Sequence, residues 1–378
     1  MKLNTPASEP SPAAGGILTI DLGALVANWK ALASRAASAE CAAAVKGDGY
    51  GIGLEQAVKS LSEAGCRTFF VALPDEGVRA RAVTESARIF VLGGFMPDTG
   101  TTLREHNLIP VLNSTEEIED WQAIARRAGT RLEAAIHVDT GMNRLGLREV
   151  EANALVADPK RMEDIEPVLI MSHLACGSDP AHSLNERQRS AFERVRPLFP
   201  GCPGSLANSA GIFLGSGYHH DLVRPGIALY GGAALDSHLN DNPMCSVVEA
   251  KARVLQVRTV PAGEGIGYGS AETAKRDSRI AITAVGYADG YHRRAGSSDA
   301  RSGAAGIFNG ARLPLIGRVS MDLTAFDVTD CPEPGPKRGD WITILGGAAG
   351  LTEVAVAAET IDYELLTGLG RRYERVYR

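Results

Sequence analysis

The chain has 378 residues, 44% of them hydrophobic and 22% charged, with a formal net charge of -6. This composition excludes disorder, and the length exceeds what one core holds, so a barrel of about 200 to 250 residues plus a smaller domain is expected. No long run of one charge sign suits a nucleic acid or an anionic membrane, and no apolar stretch is long enough to span a bilayer.

Residues 1–15 are rich in Pro, Ala and Ser and lack the apolar core of a signal peptide, which predicts a flexible arm. Residues 17–22 form a short strand, a candidate to pair with the C-terminal domain. From about residue 40 to 230, short apolar runs alternate with amphipathic stretches, the pattern of repeated βα units on a parallel sheet, and 16–240 is read as one domain built of them. Strands are predicted at 41–45, 68–73, 88–92, 108–112, 132–138, 167–172, 204–207 and 222–224, with helices such as 54–64 and 114–127 between them. The second of these helices opens with Ser114-Thr115-Glu116-Glu117, in which Ser114 and Glu117 are spaced to cap each other's free amides. Eight such units predict an α/β fold, a (β/α)8 TIM-like barrel with its chemistry at the C-terminal ends of the strands. Over 241–378 the predicted strands 247–260, 279–285, 313–319, 323–328 and 341–345 follow one another across Gly/Pro-rich turns. That is a mainly β C-terminal domain, with a closing helix over 351–369. The six cysteines show neither C-x-x-C nor Cys/His spacing, so they read as reduced thiols of a cytoplasmic protein with no metal site.

The first barrel strand ends in Ala44-Val45-Lys46-Gly47-Asp48-Gly49-Tyr50-Gly51 and delivers a lysine to the active rim. Partial burial there lowers an ammonium pKa from about 10.4 toward the neutral amine that a Schiff base or proton abstraction needs. A solvated lysine at a loop start has the same local sequence. The fifth strand leads from His137 to Arg144, whose guanidinium can hold a carboxylate through two parallel hydrogen bonds. The sixth ends in Ser172-His173-Leu174 and the seventh in Ala207-Asn208-Ser209, where a hydroxyl and free amides at a helix start suit a phosphate. The eighth ends in Arg224-Pro225-Gly226-Ile227. Singly, each is as readily structural, with His173 a satisfied core histidine and Ser209 an ordinary cap. Their convergence on one rim is the functional signal.

As a set these motifs resemble the alanine racemase family. AVKGDGYG is similar to its cofactor-lysine motif, and HVDTGMNRLG, SHLAC, LANSAG, VRPGIALYG, GYGS, VGYADGY and GRVSMD follow in the family's order. The resemblance implies pyridoxal 5'-phosphate held covalently by Lys46, which also serves as base on one face of the substrate Cα. Tyr268, supplied by a second subunit, is then the acid/base on the other face, because one side chain cannot reach both sides of a planar carbanion. Arg224 is implied to meet the pyridine nitrogen. Tyr50, Ser209, Tyr363 and the backbone at Gly226 and Ile227 form the implied phosphate set, with Asn208 and His173 also against the cofactor. Arg144 and the backbone of Met321, the latter again from a second subunit, correspond to the substrate carboxylate site, so a homodimer with shared active sites follows. Asp322, Tyr287 and Asp289 are expected to support this rim.

One departure stands out. Many relatives carry, at the position of His137, a lysine modified to a carbamate that braces the substrate-binding arginine; imidazole cannot form that anion. A neutral ring nitrogen of His137, a bound anion or a nearby carboxylate is expected to take over. The implied reaction interconverts L- and D-alanine, for peptidoglycan precursors or for D-alanine catabolism. A serine or broad-specificity racemase of the same fold is the near alternative, because one small group changes selectivity by only about 1 to 3 kcal/mol. Bulky Tyr268, Tyr363 and Met321 favour alanine. A non-catalytic carrier of the cofactor would need the lysine but not the GYGS and SMD segments, and a decarboxylase of this plan would release carbon dioxide.

Overall fold

The computed structural model describes residues 11–239 and 241–378, which divide into two compact units. One comprises Leu25–Leu229 and Ala234–Pro243; the other gathers the described residues up to Ala24, Tyr230–Ala233 and Met244–Arg378.

The first unit is the expected barrel. Ala43–Ala44, Thr68–Val71, Arg88–Val91, Ile109–Leu112, Leu132–His137, Ile165–Met171 and Gly204–Ser205 each pair in parallel with the next. Leu222–Val223 closes the ring. It pairs in parallel with Glu40–Cys41, the leading half of the first strand, and on its other side Arg224 N donates to Ala207 O at 2.9 Å. Thr68–Val71 and Ile109–Leu112 are buried at every position, as barrel strands covered on both faces must be. The helix Leu54–Ala64 agrees with its predicted bounds and turns Leu54, Ala57, Val58 and Leu61 to the core, one stripe at helical spacing.

Ser114 caps the helix Thr115–Ala128 by accepting from Glu117 N at 3.2 Å. The reciprocal half of that cap differs from expectation, because the Glu117 carboxylate accepts from Asn113 N at 2.7 Å, one residue earlier. Leu22–Arg35 is a helix that the sequence patterning left unread. Its inward positions are Leu25, Asn28 and Leu32, and the polar middle residue, which donates to Leu229 O at 3.0 Å, breaks the apolar stripe.

The second unit is a mainly β layer built on the long strand Val248–Val260. Its leading half pairs with Trp341–Gly346 and its trailing half with Ser278–Thr283, the change falling at a register shift between Val254 and Gln256. Gly16–Ile20 lies in this sheet, antiparallel to Val248–Val260 and parallel to Glu374–Tyr377. Of the arm expected over residues 1–15, the first ten lie outside the described residues. Beyond them, Ser11 N donates to the Glu374 carboxylate at 2.9 Å and the Arg253 guanidinium to Pro12 O at 2.7 Å.

Two expectations in this unit are corrected. The helix read over 351–369 is broken into Leu351–Ala357 and Asp362–Thr367, with Glu359 between them in the left-handed region at φ 54°. The strand read over 313–319 ends early, as Ala311–Pro314, because Gly317 turns the chain at φ 73°. Ala305–Phe308 and Glu374–Tyr377 are strands too short, and too rich in Ala, Gly or charge, to show a period.

In the barrel unit, Arg81 ends the helix Pro74–Arg81 and donates to five backbone carbonyls, those of Thr84, Glu85, Ala87, His106 and Asn107, at 2.8 to 3.0 Å. Removing this donor strands acceptors from two loop segments at once. Arg81→Met is expected to lower the unfolding free energy in urea by about 2 to 3 kcal/mol, against less than about 0.5 for Arg127→Met on an exposed helix face.

Candidate active site

Lys46 follows the strand Ala43–Ala44 and opens a turn of unusual hand. Gly47, Asp48, Gly49, Tyr50 and Gly51 all have positive φ, between 52° and 84°, and Gly49 N donates to Val45 O and Gly51 N to Gly47 O, as in one turn of a left-handed helix. For Asp48 and Tyr50 that conformation costs roughly 1 to 2 kcal/mol each. Glu76 clamps it: its carboxylate accepts from Gly47 N at 2.6 Å on one side and from Ala72 N at 2.8 Å on the other. The turn thus fixes both Lys46 and, four residues on, the Tyr50 ring. The pKa of Lys46 is lowered, first by burial and then by the Arg144 cation, with Glu76 opposing.

Tyr50 explains Gly226. A Cβ on Gly226 would lie 2.2 Å from the Tyr50 hydroxyl oxygen, so only glycine lets that phenol reach the end of the eighth strand. Ser209, first residue of the helix Ser209–Leu214, accepts from Gly226 N at 2.8 Å and from Ala228 N at 3.3 Å, and the Asn208 side chain caps the helix by accepting from Gly211 N. Ile227 is wholly buried, and its N–H donates to no group among the described residues. An orphaned amide beside a hydroxyl, a phenol and a helix start is the donor set an anionic oxygen cluster requires.

Arg224 is 5% exposed and lies in the barrel interior. It donates through Nη2 to Ser172 O at 2.5 Å and through Nη1 to the Ser205 hydroxyl, and its guanidinium lies over the Phe70 ring. No carboxylate among the described residues pairs with it. Burial pushes its pKa down to about 9, so it stays cationic at neutral pH. His173 is held well below the usual histidine range by burial and then by Arg224. Its Nε2 lies 3.4 Å from Asn208 Nδ2. His137 is lowered to about 4, by burial first and Arg224 second. The barrel unit therefore brings Lys46, Tyr50, Arg144, His173, Asn208, Ser209, Arg224, Gly226 and Ile227 to the strand ends.

Tyr268, Met321 and Tyr363 belong to the second unit. Tyr268 is 70% exposed on the short turn Tyr268–Ser270, which crowns the hairpin of Gly265–Ile266 and Glu272–Thr273. The Glu272 carboxylate accepts from Gly317 N at 2.9 Å, tying the hairpin to the segment that leads to Met321. Met321 is exposed; its carbonyl accepts from Ala288 N, and its own N–H donates to no group among the described residues. Nearby, Arg372 pairs with Asp289 at 2.8 Å and Asp322 at 2.7 Å, while Tyr287 N donates to Ser320 O. Tyr363 stands in the helix Asp362–Thr367.

Sequence reasoning missed the polar groups that hold this site. Gln188, fully buried, donates to His173 O at 2.8 Å and accepts from Ala175 N at 2.8 Å, fixing the turn after the sixth strand. Its signal was available, since an amide on the apolar stripe with Phe192 and Val195 must find partners. Ser205, Glu76 and Asn113 carry no comparable local signal.

Two family descriptions match the chain, the alanine racemase N-terminal domain over residues 20–234 and the alanine racemase C-terminal domain over residues 247–377. A Rhizobium meliloti protein named alanine racemase is 48% identical over 366 residues, covering 95% of this chain and 96% of its own. Agrobacterium fabrum has a biosynthetic alanine racemase 46% identical and a catabolic one 45% identical, covering 95% and 100% of this chain and 93% and 96% of their own. The crystal structure of an alanine racemase from Bartonella henselae, with covalently bound pyridoxal phosphate, superposes with a TM-score of 0.90 at 42% identity, over 97% of this chain and all of that one.

The depressed value of His137 couples the site to folding. As pH falls below about 6.5 the unfolded chain takes up the proton first, so the stability present above that pH is lost progressively toward pH 4. Between pH 7 and 5 the wild type is expected to lose about 2 kcal/mol more than His137→Asn, measured as unfolding free energy in urea.

Proposed function

The chain belongs to the alanine racemase family, and on that premise we propose that it interconverts L- and D-alanine with pyridoxal phosphate, Lys46 working on one face of the substrate Cα and the partner subunit's Tyr268 on the other. The observation that carries this reading is the placement of Lys46, delivered by the first barrel strand beside Arg144 and held next to the cradle of Tyr50, Ser209, Gly226 and Ile227. Pyridoxal phosphate, when bound, supplies the electron sink that lets the Cα–H bond break. The donor set of the cradle fits its phosphate, and Lys46 fits its carbonyl carbon.

The chain's own groups do the rest. The lowered pKa of Lys46 favours the neutral amine, which can take the α-proton from one enantiomer. The phenol of the second copy's Tyr268 returns a proton to the opposite face, and the reverse direction exchanges the two roles. Arg224 keeps its proton at neutral pH, so its unengaged Nε–H is a permanent donor for the ring nitrogen and leaves that nitrogen unprotonated. Arg144 holds the substrate carboxylate, with the free N–H of the second copy's Met321. Such a site is complete only in a homodimer. The role of Tyr363 in phosphate binding rests on the family resemblance alone. The relatives bear both biosynthetic and catabolic names, and either use of D-alanine draws on the same chemistry. No helix among the described residues is long and apolar enough to cross a membrane, and we place the enzyme in the cytoplasm.

Loss of optical rotation from L-alanine and from D-alanine tests the reading, with serine and lysine run beside them. Lys46→Ala is expected to abolish turnover and the visible absorbance of the bound cofactor. Tyr268→Phe should keep that absorbance and slow turnover by about 10² to 10⁴-fold, unequally in the two directions. Protein fully loaded with cofactor that leaves both alanine enantiomers untouched would overturn it. Gly226→Ala, which displaces the Tyr50 phenol, is expected to weaken cofactor affinity by at least about tenfold at equilibrium dialysis, the equivalent of one charge-assisted hydrogen bond.

A further inference from the structure

Asn113 ends the strand Ile109–Leu112 and is 5% exposed. Its side-chain Nδ2 donates to Val111 O at 2.8 Å and Leu92 O at 3.3 Å, with the Glu117 carboxylate a further acceptor at 3.4 Å. Acceptors on that side leave one orientation of the amide: nitrogen toward them, Oδ1 toward His137. Oδ1 lies 2.8 Å from His137 Nδ1. An oxygen without a hydrogen demands a donor, so Nδ1 carries the proton. A neutral imidazole has only one such hydrogen, which leaves Nε2 with a bare lone pair.

Nε2 shares its edge of the ring with Cδ2, and Cδ2 lies 3.2 Å from where a Cβ on Gly146 would stand. That edge therefore faces the loop that carries Arg144. The same loop is tied down by Asn113, whose backbone O accepts from Gly146 N at 3.2 Å, and by His137, whose O accepts from Leu147 N at 2.8 Å. Asp139, the carboxylate inside the loop, is taken up by the amides of Gly141, Met142 and Asn143 at 2.9 to 3.1 Å. Arg144 itself has no ion pair or hydrogen bond among the described residues.

We propose that Asn113 is a positioning residue for substrate recognition: it fixes His137 as the Nδ1–H tautomer and so offers Nε2 as a neutral acceptor for the Arg144 guanidinium. This rests on Arg144 holding the substrate carboxylate, as proposed above. A neutral acceptor aims the guanidinium without cancelling its charge, so the whole attraction for an incoming carboxylate is kept. The depressed basicity of His137 agrees with a ring that stays neutral between Arg224 and Arg144.

Neutron diffraction from the deuterated holoenzyme at pH 7 reads the tautomer directly. The expected result is a deuteron on Nδ1 of His137 and none on Nε2; a deuteron on Nε2 would overturn the inference whatever the activity. Kinetics read the consequence. Asn113→Asp supplies a charged acceptor, draws a second proton onto the ring and turns Nε2 into a donor facing Arg144. KM for alanine is expected to rise about tenfold or more with little change in kcat, the worth of one hydrogen bond to a charged group. Because the imidazolium loses that proton as pH rises, the KM penalty should shrink toward alkaline pH, among the same neighbours Arg224, Arg144 and Asp139. A penalty independent of pH, or a fall in kcat alone, would mean that Asn113 only supports the fold. His137→Phe, which keeps the ring's shape without an acceptor, should raise KM alike. Arg144→Lys with unchanged KM would instead remove the carboxylate reading on which this proposal stands.

Discussion

A buried cation with no counter-charge among the described residues organises the barrel's interior. Taking a guanidinium out of water costs several kcal/mol unless its hydrogens are met, and Arg224 meets them with a carbonyl, a hydroxyl and the face of Phe70. Because none of these is an anion, the field of the cation is left over. It acts on the two histidines, each of which is already made less basic by burial. With Lys46 and Arg144 at the strand ends, and no ion pair formed by any of the three among the described residues, the rim is a place where anions are wanted. A phosphate and a carboxylate are the two that the proposed reaction brings.

Placing those groups takes work that shows only in the backbone. The left-handed turn after Lys46 stores strain in Asp48 and Tyr50, and strain of that kind persists where the surroundings over-determine it. Here Glu76 supplies the constraint by gathering amides from both the first and the second βα connection. The result is that an amine and a phenol four residues apart are aimed at different parts of one site. In the other unit Glu272 has a similar office, binding the Tyr268 hairpin to the strand end that leads to Met321.

Much of this was legible in the chain itself. Eight barrel strands fall where short runs of three to seven residues are bounded by turn signals, and Leu54–Ala64 is read to the residue because its apolar stripe is unbroken. Lys46, Arg144, Ser209 and Arg224 could be nominated because strand ends of such a barrel share a rim. What escaped was whatever depends on partners distant in sequence. Asn28 hides a helix because its hydrogen bond lies some two hundred residues away. Ser205 looks like any strand serine until Arg224 reaches it, and Glu76 like any exposed helix carboxylate until it meets the turn after Lys46. The hinge at Glu359 is invisible for the opposite reason, since a lone left-handed residue leaves a helical pattern intact on both sides.

The seating of Gly16–Ile20 between Val248–Val260 and Glu374–Tyr377 also bears on how the molecule is made. Because a chain is made from its N-terminal side, this strand keeps one edge bare until Glu374–Tyr377, which lies beyond the barrel in sequence, has been made. Leu25–Leu229, which carries every barrel strand, is made in between and is free to close in the meantime, so the two units mature in an order set by translation. A chain that stalls or is clipped near residue 370 would thus leave an open β edge in a nascent protein whose other half is already finished.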